Sequence, residues 1–296
     1  MPRTTRPSSA ERDQLELFRA LPGELAPRDA QDLMAYPFFS LAKSRRTVPI
    51  DFRLGKIAIR VEATAEHGMA TIWDADVLIW AASQIVQARD GGRRTSRLMA
   101  ATPYEILTFV GRGTSARDYQ RLKAGLDRLQ STTIATSIRQ PTERRRHRFS
   151  WINEWKETAD PQGRALGVEM ILPDWFYAGV LDEALVLTID RAYFKLTGGL
   201  ERWLYRLVRK HGGWQEGGWS FDFRHLYAKS GSLSPLKHFA FAVRDIVRRQ
   251  PLPNYRLEIE RDRLGAERLL FVPVVFDPLE RAARRLDPSP RPGDRL

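Results

Sequence analysis

Apolar residues Leu236, Phe239, Val243 and Ile246 recur at spacings of three, four and three, which predicts an amphipathic helix over Pro235–Arg249. At about 100° per residue, Lys237, Phe241, Arg244 and Arg248 form a second stripe almost opposite the apolar one. Ser234 and Pro235 mark the start, a cap oxygen followed by a proline at the first helical position. In isolation such a helix is an ordinary surface element with solvated arginines. Its meaning changes because the chain carries the arrangement twice.

An earlier helix is expected from Ser115 to Gln130, after a turn at Gly111–Thr114. A shift of 117 positions carries its apolar residues Tyr119, Leu122, Leu126 and Leu129 onto Leu236, Phe239, Val243 and Ile246. Each of the two helices follows a shorter one, Pro103–Val110 in the first case and Phe223–Lys229 in the second. Each also precedes a pair of alternating strands. These are Ser131–Arg139 with Phe149–Trp155, then Tyr255, Leu257 and Ile259 with Leu269–Val275. Helix, turn, helix and ribbon is the winged-helix order.

The remaining pattern fills in the frame. Ile57, Ile59 and Val61 alternate as a strand, and Ala70–Trp73 reads as its resumption. Asp74 caps a helix through Ala88 that Gly91 and Gly92 close, and Arg97–Thr102 is a short strand. A helix interrupted at Gly198 and Gly199 runs from Asp190 to His211, with Arg202, Arg206, Arg209 and Lys210 expected on a solvated face. Pro161 and two glycines make Thr158–Gly167 the expected linker. The fold class is therefore α+β, two tandem winged-helix domains related as a pseudo-repeat with disordered tails. Its parts are a flexible basic arm (1–32), a first domain (33–158), a second (166–276) and a Pro- and Arg-rich tail (277–296).

Charge turns this architecture toward a polyanion. The 296 residues carry a net charge of +12, for which nucleic acid is the commonest partner of a globular chain. No apolar run approaches the roughly 20 residues that span a bilayer, no secretory signal opens the chain, and there is no cysteine. A cytoplasmic protein without disulfides or thiolate metal sites is expected, with no membrane partner.

Two basic clusters are candidate DNA contacts. In the first module ten Lys or Arg stand against three acids between Gly111 and Phe149. Arg117, Gln120, Arg121 and Arg128 lie along the helix, and Arg144, Arg145 and Arg146 lie in the ribbon loop, where a tip reaches phosphates. The second cluster is Lys237, Phe241, Arg244 and Arg248, with Arg249 and Arg256 beside them. Its arginines suit guanine, which accepts two hydrogen bonds in the major groove. Phe241 suits a thymine methyl or packing under the wing. Both modules are expected on double-stranded DNA, the first on the backbone and the second reading sequence.

Catalysis finds no comparable pattern. The chain lacks a G-x-x-x-x-G-K-[ST] loop, and His67, His147, His211, His225 and His238 are scattered without metal-ligand spacing. The expectation is a protein that is not an enzyme, without cofactor or metal.

Three longer segments have a wider likeness: Met34-Ala-Tyr-Pro-Phe-Phe-Ser-Leu-Ala-Lys-Ser-Arg-Arg, Ala70-Thr-Ile-Trp-Asp-Ala-Asp-Val-Leu-Ile-Trp and Leu200-Glu-Arg-Trp-Leu-Tyr-Arg-Leu-Val-Arg-Lys-His. With them the chain resembles the plasmid replication initiator protein A family over about residues 30–276. That resemblance implies binding to repeated origin sequences (iterons), local duplex opening, and recruitment of the host replication initiator and replicative helicase. It further implies a homodimer through the first domain and a second module whose helix, here Pro235–Arg249, enters the major groove. A transcriptional repressor would use the same modules, and a DNA-nicking enzyme is a more distant alternative.

Overall fold

Alternation at Ile57, Ile59 and Val61 builds a hairpin, β3 (Ile50–Leu54) with β4 (Ile57–Glu62), around which the first half of the chain assembles. Ahead of it lie β1 (Leu17–Arg19), β2 (Arg28–Ala30) and α1 (Gln31–Ala35). After it come α2 (Ala75–Asp90), β5 (Leu98–Ala101), α3 (Pro103–Phe109), α4 (Ala116–Ser131), β6 (Thr133–Thr136) and β7 (His147–Ser150). Next are β8 (Glu154–Ala159), β9 (Ala165–Ile171), α5 (Asp174–Leu181) and β10 (Val186–Thr188). The chain then forms α6 (Gly199–His211), β11 (Trp219–Asp222), α7 (Phe223–Ser230), α8 (Leu236–Arg249), β12 (Tyr255–Arg261) and β13 (Glu267–Pro273). This is a computed structural model, and it describes residues 11–140, 147–162, 165–213 and 217–274.

Among the described residues the strands form four small sheets, in orders β3-β4-β6-β7, β1-β5-β9-β8, β10-β2 and β11-β13-β12. All pairings are antiparallel except β1 on β5. The centre of the molecule is α2. Its residues from Ala75 to Val86 are all buried, so it is enclosed around its circumference rather than on one stripe, with Asp76, Ser83 and Gln84 as buried polar groups among apolar ones. Trp151, fully buried nearby, stacks on Phe39 at 4.9 Å and meets Phe38 edge-on at 5.4 Å.

Several expectations are corrected. The flexible arm over 1–32 is ordered across residues 11–32. Phe18 and Leu25 are buried, β1 pairs with β5, and Arg12 donates to Glu154 at 2.8 Å and also pairs with Glu169. The linker expected at 158–167 is the end of a hairpin, β8 on β9, whose second strand continues the sheet onto β5. Gly167 is there for close approach. A Cβ on it would lie 2.6 Å from the carbonyl oxygen of Ala101. Ala70–Trp73 forms no strand beyond one bridge between Ser40 and Thr71, because the Thr71 amide and hydroxyl donate to Asp74 and bend the chain into α2. Phe149–Trp155 divides between β7 and β8. The tail expected over 277–296 lies outside the described residues.

The largest correction concerns α6. Arg202 and Arg206 face inward and are 2% and 1% exposed. Arg206 grips Asp29 of β2 through two bonds of 2.6 and 2.9 Å, and Arg202 holds Asp76 of α2 at 2.8 and 3.0 Å. A helical wheel assigns arginines to solvent, but a guanidinium that meets a buried carboxylate in a two-point grip is satisfied inside. The pairing of β2 with β10 ties the expected arm to the second half of the chain, and residues of both expected domains share one apolar core.

His211 ends α6 with its Nε2 buried, without a hydrogen-bond partner among the described residues, and its ring edge-on to Phe221 at 5.1 Å. Burial, with help from Lys229, Lys210 and His225, pushes its pKa down to about 3. Because the unfolded imidazole binds a proton at a pH where the folded one does not, this residue removes stability as pH falls from about 6.5 towards 3. We expect His211→Phe to flatten that part of the acid dependence, read as urea midpoints of the two proteins at pH 7 and 4.5.

Candidate nucleic-acid interface

The helix α8 is held from both ends. At its start, α7 closes with Ser230, whose hydroxyl donates to the Tyr227 carbonyl at 2.8 Å, and Gly231 takes φ +60. The cap position is occupied by Pro235, with no side-chain oxygen on the helix amides, so Ser234 is not the cap expected of it. Arg46 donates to the Gly231 carbonyl at 2.6 Å, and Lys229 donates to Ala35 at 3.2 Å with its ammonium over the Tyr36 ring. These two contacts dock the turn on the first half of the chain. At the far end Gln250 takes φ 50 and exchanges two bonds with Leu257, fixing the helix to β12.

Phe239, Val243 and Ile246 pack inward, while Leu236 is 37% exposed and belongs to the rim rather than the core. Phe239 meets Tyr227 at 5.3 Å and Trp203 at 6.5 Å. The opposite stripe faces out as periodicity demands. Lys237, Arg244 and Arg248 are exposed and Phe241 is 70% exposed, too open to be packing under the ribbon.

The arginines of this front share it with acids. Arg244 pairs with Glu267 at the foot of β13, Arg248 with Asp245, Arg249 with Asp245 and Glu201, and Arg256 with Glu258. The Arg244 hydrogen bond holds the Glu267 carboxyl below the usual range, and Arg248 and Arg249 do the same for Asp245. Apart from Arg249 with the buried Glu201, these pairs lie at the surface and are individually worth little, so a phosphate or a base edge can displace the acid at small cost.

The front of α4 is smaller than its arginine count suggests. Ser115 and Asp118 cap it reciprocally, and Arg117, Gln120 and Arg121 are exposed beyond that cap. Arg128 turns away, clamped on Asp74 through bonds of 2.8 and 2.7 Å at the start of α2. It is a bridge between helices, which takes it off the exposed front. Arg112 is likewise held by Asp76, Lys123 by Glu157, and Arg139 by Asp32 and the face of Trp175. Arg144, Arg145 and Arg146 lie outside the described residues.

One feature escaped the sequence reading. The turn between β12 and β13 presents Arg263 and Leu264, and Leu264 is 95% exposed. Its only local signal is an apolar residue before a turn glycine. Among the described residues no cluster of three His, Asp or Glu is placed to hold a metal, and no helix is long and apolar enough to cross a membrane.

Residues 28–257 match the family described as replication initiator protein A. The chain belongs to that family. The match opens at Arg28, the first residue of β2, which agrees with the place of that strand inside the fold. A relative named "Putative replication protein", from Wigglesworthia glossinidia brevipalpis, is 31% identical over 228 residues, covering 76% of this chain and 82% of that protein. Crystal structures of domains 2 and 3 of RctB are similar in fold. One covers 81% of this replication initiator protein A chain and 97% of its own at a TM-score of 0.59, and a second covers 86% and 99% at 0.54. At 13% identity these are likenesses of fold.

Proposed function

We propose that this replication initiator binds repeated duplex sequences at the origin of a plasmid or integrative element, using two winged-helix modules, and helps to open that origin. The observation that carries the reading is the outward face of α8: Lys237, Phe241, Arg244 and Arg248 side by side, after a docked turn and before a hairpin. That is a helix shaped for a major groove with a ribbon beside it. The first module, α3-α4-β6-β7, has the same element order, and in it Leu122, Leu126 and Leu129 are buried where α8 buries Phe239, Val243 and Ile246. Its front of Arg117, Gln120 and Arg121 has fewer cations and fits backbone contact.

Two such modules would follow successive grooves about one helical turn apart, roughly 10 bp between centres. The protein acts by binding rather than by catalysis in this reading. Recruitment of a host initiator and helicase, and pairing of two copies through the first module, are parts of it that rest on the family relationship. Footprinting on the DNA flanking its own gene should reveal protected direct repeats, and a fragment carrying them should be maintained as a plasmid only when the protein is supplied. Protected repeats without maintenance would make it a repressor instead. Absence of any protection would end the DNA-reading assignment of α8.

The arginine triplet gives a separate expectation. Alanine at Arg144, Arg145 and Arg146 should weaken origin and unrelated duplexes alike. It should also lower the slope of log affinity against log salt by about 2–3, as loss of three phosphate contacts predicts. Titrations at several salt concentrations measure both effects.

A further inference from the structure

The hairpin of β12 and β13 ends in a turn too well fixed to be a loose loop. Gly265 donates to the Asp262 carbonyl at 2.9 Å, and the Asp262 amide donates to Ala266 at 3.0 Å. One carboxylate oxygen of Asp262 also accepts the amides of Leu264 and Ala266, each at 2.9 Å. With Gly265 at φ +79, the backbone is set whatever side chain stands at position 264. A locked turn suits a polar residue there, yet it holds out a leucine that is 95% exposed.

Position and company say what that leucine would meet. The fully buried residue of β13 nearest the tip is Leu269, two residues from the strand's end at Glu267, so the strand alone carries the turn roughly 7 Å clear of the core at about 3.3 Å per residue, with Leu264 at the far side of the turn. The minor groove is about 7.5 Å deep. Arg263 is exposed beside the leucine, and Arg261, one position outside the turn, is 73% exposed with its nearest acid, Glu267, 4.0 Å away. An apolar tip flanked by arginines is the composition of side chains that enter a minor groove and part a base step. The hairpin is also fixed to the reading helix, through Arg244 with Glu267 and through Gln250 with Leu257. The hairpin and α8 therefore approach a duplex as one unit.

We infer that Leu264 is a wedge that enters the minor groove beside the site read by α8 and unstacks one base step, with Arg261 and Arg263 on the adjoining phosphates. This rests on the reading of α8 as a DNA-binding helix and adds to it a means of weakening the duplex. Unstacking costs a few kcal/mol per step, which contacts by the arginines and α8 must offset. The wedge therefore governs distortion of the site more than affinity.

The test uses the full chain and duplexes of the protected DNA beside its own gene, with 2-aminopurine at successive positions and dyes at the ends. The wild-type protein should brighten the probe at one step and shorten the end-to-end distance. Leu264→Ala should lose most of both signals while its affinity falls by about tenfold or less, and Leu264→Phe should keep them. No brightening at any position by bound wild-type protein would overturn the wedge and leave α8 untouched. So would equal brightening by Leu264→Ala, which would assign the leucine to a protein partner. Failure of the wild-type chain to protect any DNA would remove both readings.

Discussion

Alanine at Asp29 should cost about 3–5 kcal/mol of stability, because it leaves the Arg206 guanidinium buried without its counter-charge. The pair is as enclosed as any in the molecule, with side chains 1% and 2% exposed. Besides Asp29, Arg206 has the ring of Phe39 5.7 Å away and lies within electrostatic reach of Tyr193 and Asp76, and its Nη1 has no hydrogen-bond partner among the described residues. Water cannot substitute easily for the lost carboxylate at such a site. Urea denaturation of the single variant measures the loss. The double variant Asp29→Leu with Arg206→Met separates charge from packing, since replacing both partners by apolar groups is often close to neutral. If both proteins lose equal stability, the pair acts through shape and the electrostatic account is wrong.

On the functional side the largest effect is expected at Arg244. Its replacement by alanine should weaken binding to the protected repeats by about 1–3 kcal/mol while changing affinity for unrelated duplex much less. Its position is the reason. It lies midway along the exposed stripe, its guanidinium also rests 5.7 Å from the Phe223 ring, and Glu267 accepts a hydrogen bond from it at 3.3 Å. Glu267→Gln is the informative companion. Freed of its carboxylate, Arg244 should take any phosphate more readily, so affinity for unrelated duplex should rise by about two- to fivefold, and discrimination should fall. Competition titrations with repeat and scrambled duplexes read both variants. Equal loss on both duplexes from Arg244→Ala would reduce the residue to a backbone contact.

Much of the reading face was legible because helix periodicity is local. Spacings among Phe239, Val243 and Ile246 set the inward side of α8, and the outward place of Phe241 and Arg244 follows from geometry alone. The same logic failed on α6. Arg202 and Arg206 obey the pattern of a solvated stripe, and the carboxylates that bury them lie 126 and 177 residues away along the chain. No window of sequence contains both halves of such a pair. Arg128 was misplaced for the same reason, its partner Asp74 being on α2. The N-terminal strap was missed because three-residue strands carry too little alternation to announce themselves. Leu236 went wrong more simply, for the first turn of a helix can leave the core before its pattern does.

The union of β2 with β10, sealed by Asp29 and Arg206, has a consequence for how the protein is made. Asp29 leaves the ribosome 177 residues before its partner, which at roughly 5–20 residues per second is a wait of about 10–35 s. During that interval β2 has no strand to join, and Asp76 of α2 has Arg112 but not Arg202. A nascent chain halted before α6 would thus expose the Asp29 carboxylate and an apolar face together, a product for proteases. Only chains translated through α6 can close their core, so the supply of active initiator is tied to the completion of each polypeptide.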